Sequence, residues 1–334
     1  MTSYREAGVD LEGADRHVAR ISPVVTSTWG PNVVGGFGGF AAGVTVPSDL
    51  PDPVLMMTTD GVGTKLELAR RTGRWEGVGF DLVAMCVDDL AAVGARPLGF
   101  VDYLAVGALE ADRDAAIVAS IAAACTEAHC PLLGGETAEH PGVMDPDQVD
   151  LAGTALGVVA RDRVLGPDRV RVGMAVVGLA SPNLRSNGFS LVRRLFDDLE
   201  SAFPGTDRSV ADVLLEPSVI YSPTVVALVE DDLVAAAAHV TGGGIPGNLV
   251  RVLPPGCRAV VHPDAWDVPE VFAEIARRGV DPESMRRTFN LGIGFVLVVD
   301  PAKVSAVEER AGRDGHGATV IGEIVAGDPA VVFD

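Results

Sequence analysis

Short apolar runs rich in β-branched residues alternate along this chain with longer Ala-rich runs whose apolar residues recur at helical spacing. A segment with one period cannot adopt the other without exposing its core face, so the alternation predicts an α/β fold, mixed α+β. "VLMMTT" (54–59), "PLGFVDYLAVGAL" (97–109), "PLLGGET" and "DLAGTALGVVA" (150–160) read as strands. "WEGVGFDLVAMCVDDLAAVGA" reads as a helix closing at Gly94, with Pro97 beyond it as a stop. Ile117, Val118, Ile121, Ala122 and Cys125 form one stripe of a second helix from Asp112 to His129. After Arg161 a polar stretch, "RDRVLGPDRVRVG", suits a connection between domains. Beyond it come strands at 174–180, 259–263, 293–300 and 318–326, and helices at 190–199, 222–239, 268–278 and 301–312. With 334 residues to place, the expected organisation is two domains, 1–165 and 166–334.

Charge narrows the partners. Forty-six acids against 26 bases give a formal net charge of -20, which repels nucleic acid and anionic membranes over most of the surface. An anionic small molecule would have to be held locally, by backbone amides, a few bases or a divalent cation. The four cysteines form no C-x-x-C pair, which points to free thiols in a reducing compartment. "MTSYREAGVD" has no apolar core of a secretory signal, and no stretch approaches the ~20 apolar residues of a spanning helix. The expected location is cytoplasmic.

Several motifs place chemistry on this frame. In "FDLVAMCVDDLAAVGA" (80–95), Asp88 and Asp89 interrupt an otherwise apolar helix, and Asp81 falls on nearly the same face as Asp88. Buried carboxylates must be neutralised, paired or metal-bound, so these acids mark either an exposed face or a cation site. "TTDGVGTK" follows a strand and offers Asp60 for Mg²⁺, Gly61 and Gly63 for exposed amides, and Thr64 and Lys65 as hydroxyl and cation. The order is not that of a P-loop, and a D-G hairpin turn is the plain alternative. "LLGGETAEHPG" presents Glu136 after two glycines, and Asp102 lies within a neighbouring strand. Together these acids amount to a hard-cation site for phosphate chemistry.

Three glycine-rich segments complete the set. "VVGGFGGFAAG" contains Gly35, Gly36, Gly38 and Gly39; prolines at 47, 51 and 53 stand where a dinucleotide fold needs a helix. A lid over an anionic ligand and an ordinary loop remain equal readings. In the second half, Ser186, Asn187 and Gly188 precede one helix and Gly242, Gly243 and Gly244 another, junctions whose free N–H groups suit a phosphate. His239 stands just ahead of the second.

Taken in order, "YREAGVD", "GGFGGF", "TDGVGTK", "DLVAMCVDDL", "LLGGETAEHPG", "SNGFSLVR", "TGGG" and "RTFNLGIGF" resemble the aminoimidazole ribonucleotide synthetase (phosphoribosylformylglycinamidine cyclo-ligase) family of purine biosynthesis, from Tyr4 to Phe295. Its superfamily includes selenophosphate synthetase and thiamine-monophosphate kinase. The resemblance implies a homodimer formed through the N-terminal domain, and a C-terminal domain closing over an ATP cleft. It implies Mg²⁺ and ATP at Asp60, Lys65, Asp88 or Asp89, and Glu136 beneath the glycine lid, with Asp89 the preferred ligand of the pair. Lys65, Asp89 and His239 are then the expected catalytic residues, Asp102 and the lid glycines nucleotide contacts, and Arg185 through Gly188 with Gly242–Gly244 the ribonucleotide site. The implied reaction phosphorylates a formyl amide oxygen, after which an amidine nitrogen attacks that carbon and phosphate leaves.

The chain departs from the family pattern where substrate is handled. "VVTSTWGPN" puts Ser27 near an expected Lys-Thr, with no base between Arg20 and Lys65; Arg185 replaces a histidine, and Val219 replaces a base. Two readings fit. One is an orthodox cyclo-ligase in which Arg185 supplies a cation lost elsewhere; the other is a paralogue using the same amide activation on a different substrate. A non-catalytic nucleotide-binding scaffold is the third reading, disfavoured because the acids and Lys65 are intact.

Overall fold

A computed structural model describes residues 11–334; the motif "YREAGVD" lies outside the described residues. The first half contains α1 (Leu11–Thr26), β1 (Val33–Val34), β2 (Gly43–Val44), β3 (Pro53–Gly61), α2 (Lys65–Thr72), α3 (Val78–Ala92), β4 (Arg96–Val106), α4 (Ala111–Glu127), β5 (Leu132–Glu139) and β6 (Val149–Ala160). Strands β3 to β6 form one sheet in the order β3-β6-β4-β5. Its β4–β5 pair is parallel, joined by the crossover α4, and its other pairs are antiparallel. Alternation along β3 turns Thr58 and Met56 toward the helices and leaves Leu55 and Met57 outside, 51% and 72% exposed. Helix α3 packs on the covered face, and at Gly79 it approaches α4 so closely that a Cβ would lie 2.1 Å from the Ile121 nitrogen.

The second half contains β7 (Ala175–Ala180), α5 (Phe189–Leu195), α6 (Val210–Leu214), α7 (Ser222–Glu230), β8 (Ala236–His239), α8 (Gly244–Leu249), β9 (Cys257–Val261), α9 (Glu270–Arg277), α10 (Pro282–Thr288), β10 (Ile293–Val299), α11 (Val304–Arg313), β11 (Ala318–Ala326) and β12 (Val331–Phe333). Six strands form a sheet in the order β12-β9-β11-β7-β10-β8. Helices α7 and α11 cover one face through Val225, Leu228 and Val307, and α8 covers the other through Ile245 and Leu249. Strand β10 is therefore buried on both faces, which explains its unbroken apolar run.

The expected helix from Ser222 to His239 is corrected: it is helix, turn and strand. Asp231 ends α7, Asp232 turns the chain at φ 54°, and Ala236–His239 then pairs antiparallel with β10. Alanine favours helix intrinsically, but the small side chains of β8 are fully buried between two layers, and packing overrides propensity. The helix expected at 190–199 is shorter, Phe189–Leu195. The core is continuous between the halves: Leu82, Phe100 and Ile121 share one apolar cluster with Phe189, Phe196 and Phe289.

Candidate functional site at the seam between the sheets

The "TTDGVGTK" segment folds as strand, turn and helix, with Asp60 at the end of β3, Gly63 at φ 69° and Lys65 opening α2. Across the sheet, Asp60 registers with Gly153, Gly153 with Asp102, and Asp102 with Gly135. Asp60 and Asp102 thus share the helix-covered face. Gly135 is required there, because a Cβ would sit 2.3 Å from an Asp102 carboxylate oxygen. Burial pushes the Asp102 carboxyl up to about 7.

Asp89 meets Asp60 on this face. Its Oδ2 accepts from Thr58 Oγ1 at 3.4 Å, its Oδ1 lies 2.9 Å from His239 Nδ1, and 43% of the side chain remains exposed. Burial, and then the charge of Asp89, raise the Asp60 carboxyl above its ordinary value, while the Gly61 N–H at 2.7 Å and His239 oppose the rise. Two carboxylates that repel each other beside open space suit a small divalent cation. Mg²⁺ commonly takes one or two carboxylates and fills its remaining positions with water and phosphate oxygens. The donor set of Asp60 and Asp89 fits that habit.

The wider acid cluster does not assemble. Among the described residues no group of three His, Cys, Asp or Glu side chains is placed to hold a metal. Glu136 registers with Tyr103, on the face of the sheet opposite Asp102, so the expectation that it joins Asp60 is corrected by the two-residue period of the strands. Asp88 is also corrected as a metal ligand. It is fully buried, its Oδ1 accepts from the Tyr221 and Ser222 N–H groups at 2.9 and 2.8 Å, and its Oδ2 takes the Arg185 guanidinium at 2.6 Å.

The two cations are likewise committed inside the protein. Arg185, expected to grip substrate, is fully buried and donates to Asp88, to the Gly294 carbonyl at 3.2 Å and to the Val219 carbonyl at 3.1 Å. Its guanidinium also lies 5.0 Å over the Tyr221 ring. Lys65, expected at the phosphates, is fully buried with Nζ 2.7–2.8 Å from both Asp81 oxygens and within 3.1 Å of the Arg185 and Glu216 carbonyls. Burial lowers its ammonium below the ordinary value, against the pull of Asp81. Ser218 completes the cage, donating its hydroxyl at 2.6 Å and its N–H at 3.1 Å to Asp81. The Arg185–Asp88 pair joins α3 to the second half directly, and the Lys65–Asp81 pair, formed within the first half, does so through the Arg185 and Glu216 carbonyls and Ser218, so both sites fasten the two sheets together. His239 has a side chain only 2% exposed and is corrected as a group that touches substrate.

The two glycine loops of the second half lie side by side, with the Asn187 Oδ1 atom 3.7 Å from where a Gly242 Cβ would be. Gly188 caps α5 at φ 82° directly against the Phe289 ring. Thr64 and Ser190 hydroxyls, 3.1 Å apart, touch across the opening between the halves. A separate cavity of about 470 Å³ lies between α1, the β1–β2 hairpin and the flank of β4 and β5. Gly36, Gly38 and Gly39 line it with Asp102 and Glu136, and so does His17, which the sequence reading missed. His17 Nε2 lies 3.3 Å from the Thr137 hydroxyl, and Nδ1 is buried without a partner. The spacing of His17, Ile21 and Val25 on one face of α1 is the signal that would have found it.

Two family models match this chain: AIR synthase related protein, N-terminal domain, over residues 41–159, and AIR synthase related protein, C-terminal domain, over 171–334. The chain belongs to the AIR synthase related family. It is 46% identical to a phosphoribosylformylglycinamidine cyclo-ligase of Sorangium cellulosum, covering 97% of this chain and 95% of that one. A cyclo-ligase of the same name from Geobacter metallireducens is 44% identical, covering 96% and 94%. Among solved structures, a hydrogenase maturation protein HypE in complex with ATP shares the fold with a TM-score of 0.71 at 20% identity, covering 98% of this chain and 93% of that one. Thiamine-monophosphate kinase of Stenotrophomonas maltophilia does so with a TM-score of 0.69 at 21% identity, covering 98% and 97%.

Proposed function

We infer that this family member is an ATP-dependent cyclo-ligase that converts formylglycinamidine ribonucleotide to aminoimidazole ribonucleotide in purine biosynthesis. The near-full-length identity with relatives named for that reaction carries the reading. The cyclo-ligase relatives above favour this substrate over the alternative of a different amide. The departures at 185 and 219 also have a physical account under the orthodox reading. The Arg185 guanidinium donates to the Val219 carbonyl while paired with Asp88, so the two departures meet at one buried cation inside the protein.

The chemistry asks little covalent work of the protein. The formyl amide oxygen attacks the γ-phosphorus of ATP, releasing ADP and leaving an imino phosphate. The amidine nitrogen then attacks the former formyl carbon, the C–O bond breaks, phosphate departs and the ring closes with loss of a proton. An amide oxygen leaves poorly until phosphorylated, and closure is intramolecular, so orientation and charge neutralisation are the protein's tasks. Asp60 and Asp89 would hold Mg²⁺, which when bound neutralises charge on the transferring phosphoryl group. The cavity beneath the lid has the size of a small-molecule site and supports a place for the nucleotide beside Asp102. Residues 1–165 would then carry nucleotide and metal, and 166–334 the ribonucleotide, with the loops 186–188 and 242–244 nearest its phosphate.

The uncovered face of the first sheet supports a homodimer. Leu55, Met57, Val101 and Tyr103 form an exposed apolar patch that a second copy would bury. Four buried free thiols agree with a reducing, cytoplasmic setting. Purified protein given formylglycinamidine ribonucleotide, ATP and Mg²⁺ should form aminoimidazole ribonucleotide and ADP in equal amounts. Folded protein that binds ATP yet forms no imidazole would refute the assignment.

A further inference from the structure

His239 ends β8, where it pairs with Phe295 of β10, and its ring stacks on the Phe295 ring at 5.9 Å and 17°. The position of the imidazole is therefore set by the second sheet. Its edge is wedged against two consecutive residues of α3 in the first half. Nδ1 lies 2.9 Å from Asp89 Oδ1, and Nε2 lies 3.9 Å from Asp88 Oδ2. A carboxylate only accepts, so Nδ1 carries the hydrogen of the short contact. Nε2 is buried with no hydrogen-bond partner and does not open toward the cleft. A proton-transfer role on substrate requires a ring nitrogen within reach of it, and neither nitrogen has that access.

Asp89, by contrast, is partly exposed, and Asp60 across the gap repels it. Its inner restraints are Thr58, at a long 3.4 Å from β3, and the shorter His239 contact from the other sheet. Without the imidazole, repulsion and solvation would both draw the Asp89 carboxylate outward, away from a geometry shared with Asp60.

We propose that His239 is a positioning residue that orients Asp89 for Mg²⁺, so that the metal-binding pair is complete only when the second sheet is seated against α3. The proposal rests on the reading of Asp60 and Asp89 as the metal carboxylates. It makes the Arg185–Asp88 pair and His239 one continuous connection, in which Asp88 anchors α3 to the second half and Asp89, the next residue, faces the metal.

The test is the affinity of Mn²⁺ for the full chain with a non-hydrolysable ATP analogue, read from the paramagnetic resonance signal of free Mn²⁺, alongside the Mg²⁺ dependence of turnover. His239→Ala should weaken Mn²⁺ by about 10- to 100-fold, the usual cost of losing a group that orients a ligand. Its kcat should recover to within a few-fold when Mg²⁺ is raised. His239→Asn keeps a donor where Nδ1 was and should restore most of the affinity. His239→Gln puts its donor toward Asp88 and should not, so the Asn–Gln contrast stands even if the Ala variant folds poorly. Unchanged Mn²⁺ affinity in His239→Ala and His239→Gln, with a kcat that excess Mg²⁺ does not rescue, would overturn the proposal. Asp89→Asn checks the underlying reading separately: if it leaves Mn²⁺ affinity intact, Asp89 is not a ligand and both fall.

Discussion

Replacing Arg185 distinguishes a substrate grip from a structural cation. The structure places the guanidinium at zero exposure, 2.6 Å from an equally buried Asp88. Arg185→Ala leaves that carboxylate with two backbone N–H groups and no counter-charge. Breaking a buried pair from one side costs roughly 3–5 kcal/mol, because a charge is left without compensation. Unfolding entropy of about 2.1 cal/mol/K per residue gives a chain of this length roughly 0.7 kcal/mol/K, so Tm should fall by about 4–7 °C. The double variant Asp88→Asn with Arg185→Met removes both charges. Its Asn oxygen still accepts from Tyr221 and Ser222, and it should recover more than half of the loss. Thermal and urea unfolding of the parent, Arg185→Met, Asp88→Asn and the double variant measure the coupling directly. An Arg185→Ala protein with unchanged Tm and a raised substrate KM would refute the reasoning and return Arg185 to the substrate.

Three further outcomes follow from the same geometry. Asp89→Asn removes charge from the cleft without disturbing the buried pairs, so turnover should fall by more than ~10²-fold while Tm barely moves; steady-state kinetics with a melting curve checks both halves. Asp102 has its carboxyl held at about 7 when folded against 3.8 otherwise, so the folded chain keeps a proton that the unfolded chain releases between those values. Its contribution to stability is therefore present at low pH and lost as pH rises through about 7. Asp102→Asn should gain stability over the parent by roughly 1.4 kcal/mol per pH unit across that window; equal gains in urea melts at pH 5 and pH 8 would contradict it. Met57→Asp, on the uncovered sheet face, should convert a dimer to monomer in light scattering, and an unchanged mass would remove that face as the interface.

The periodic parts of the fold were legible because local pattern and packing agree. β10 is apolar throughout and is buried on both faces; α4 shows its stripe and buries Ile117, Ile121 and Cys125. The run of alanines before His239 misled because its helical preference is weak beside the packing of a fully buried sheet edge. In α3 the two aspartates posed a choice between exposure and metal, and the pair divides. Asp89 faces the cleft, whereas Asp88 is neutralised by an arginine 97 residues away. Nothing local announces such a partner. Lys65 misled for the same reason: after D-G-V-G-T it has the look of a phosphate ligand, but Asp81 lies one turn into α3 and claims it. The pairing of the halves therefore had to be seen in three dimensions, while the acids that matter to it were already visible as charges out of place.

In the proposed reaction ATP turns the formyl oxygen of the substrate into a leaving group. Formylglycinamidine ribonucleotide labelled with ¹⁸O in the formyl group tests it most directly, by mass analysis of the phosphate released on ring closure. One ¹⁸O atom is expected in each inorganic phosphate formed, with one ADP per imidazole. Unlabelled phosphate, with the ¹⁸O recovered in water, would contradict it.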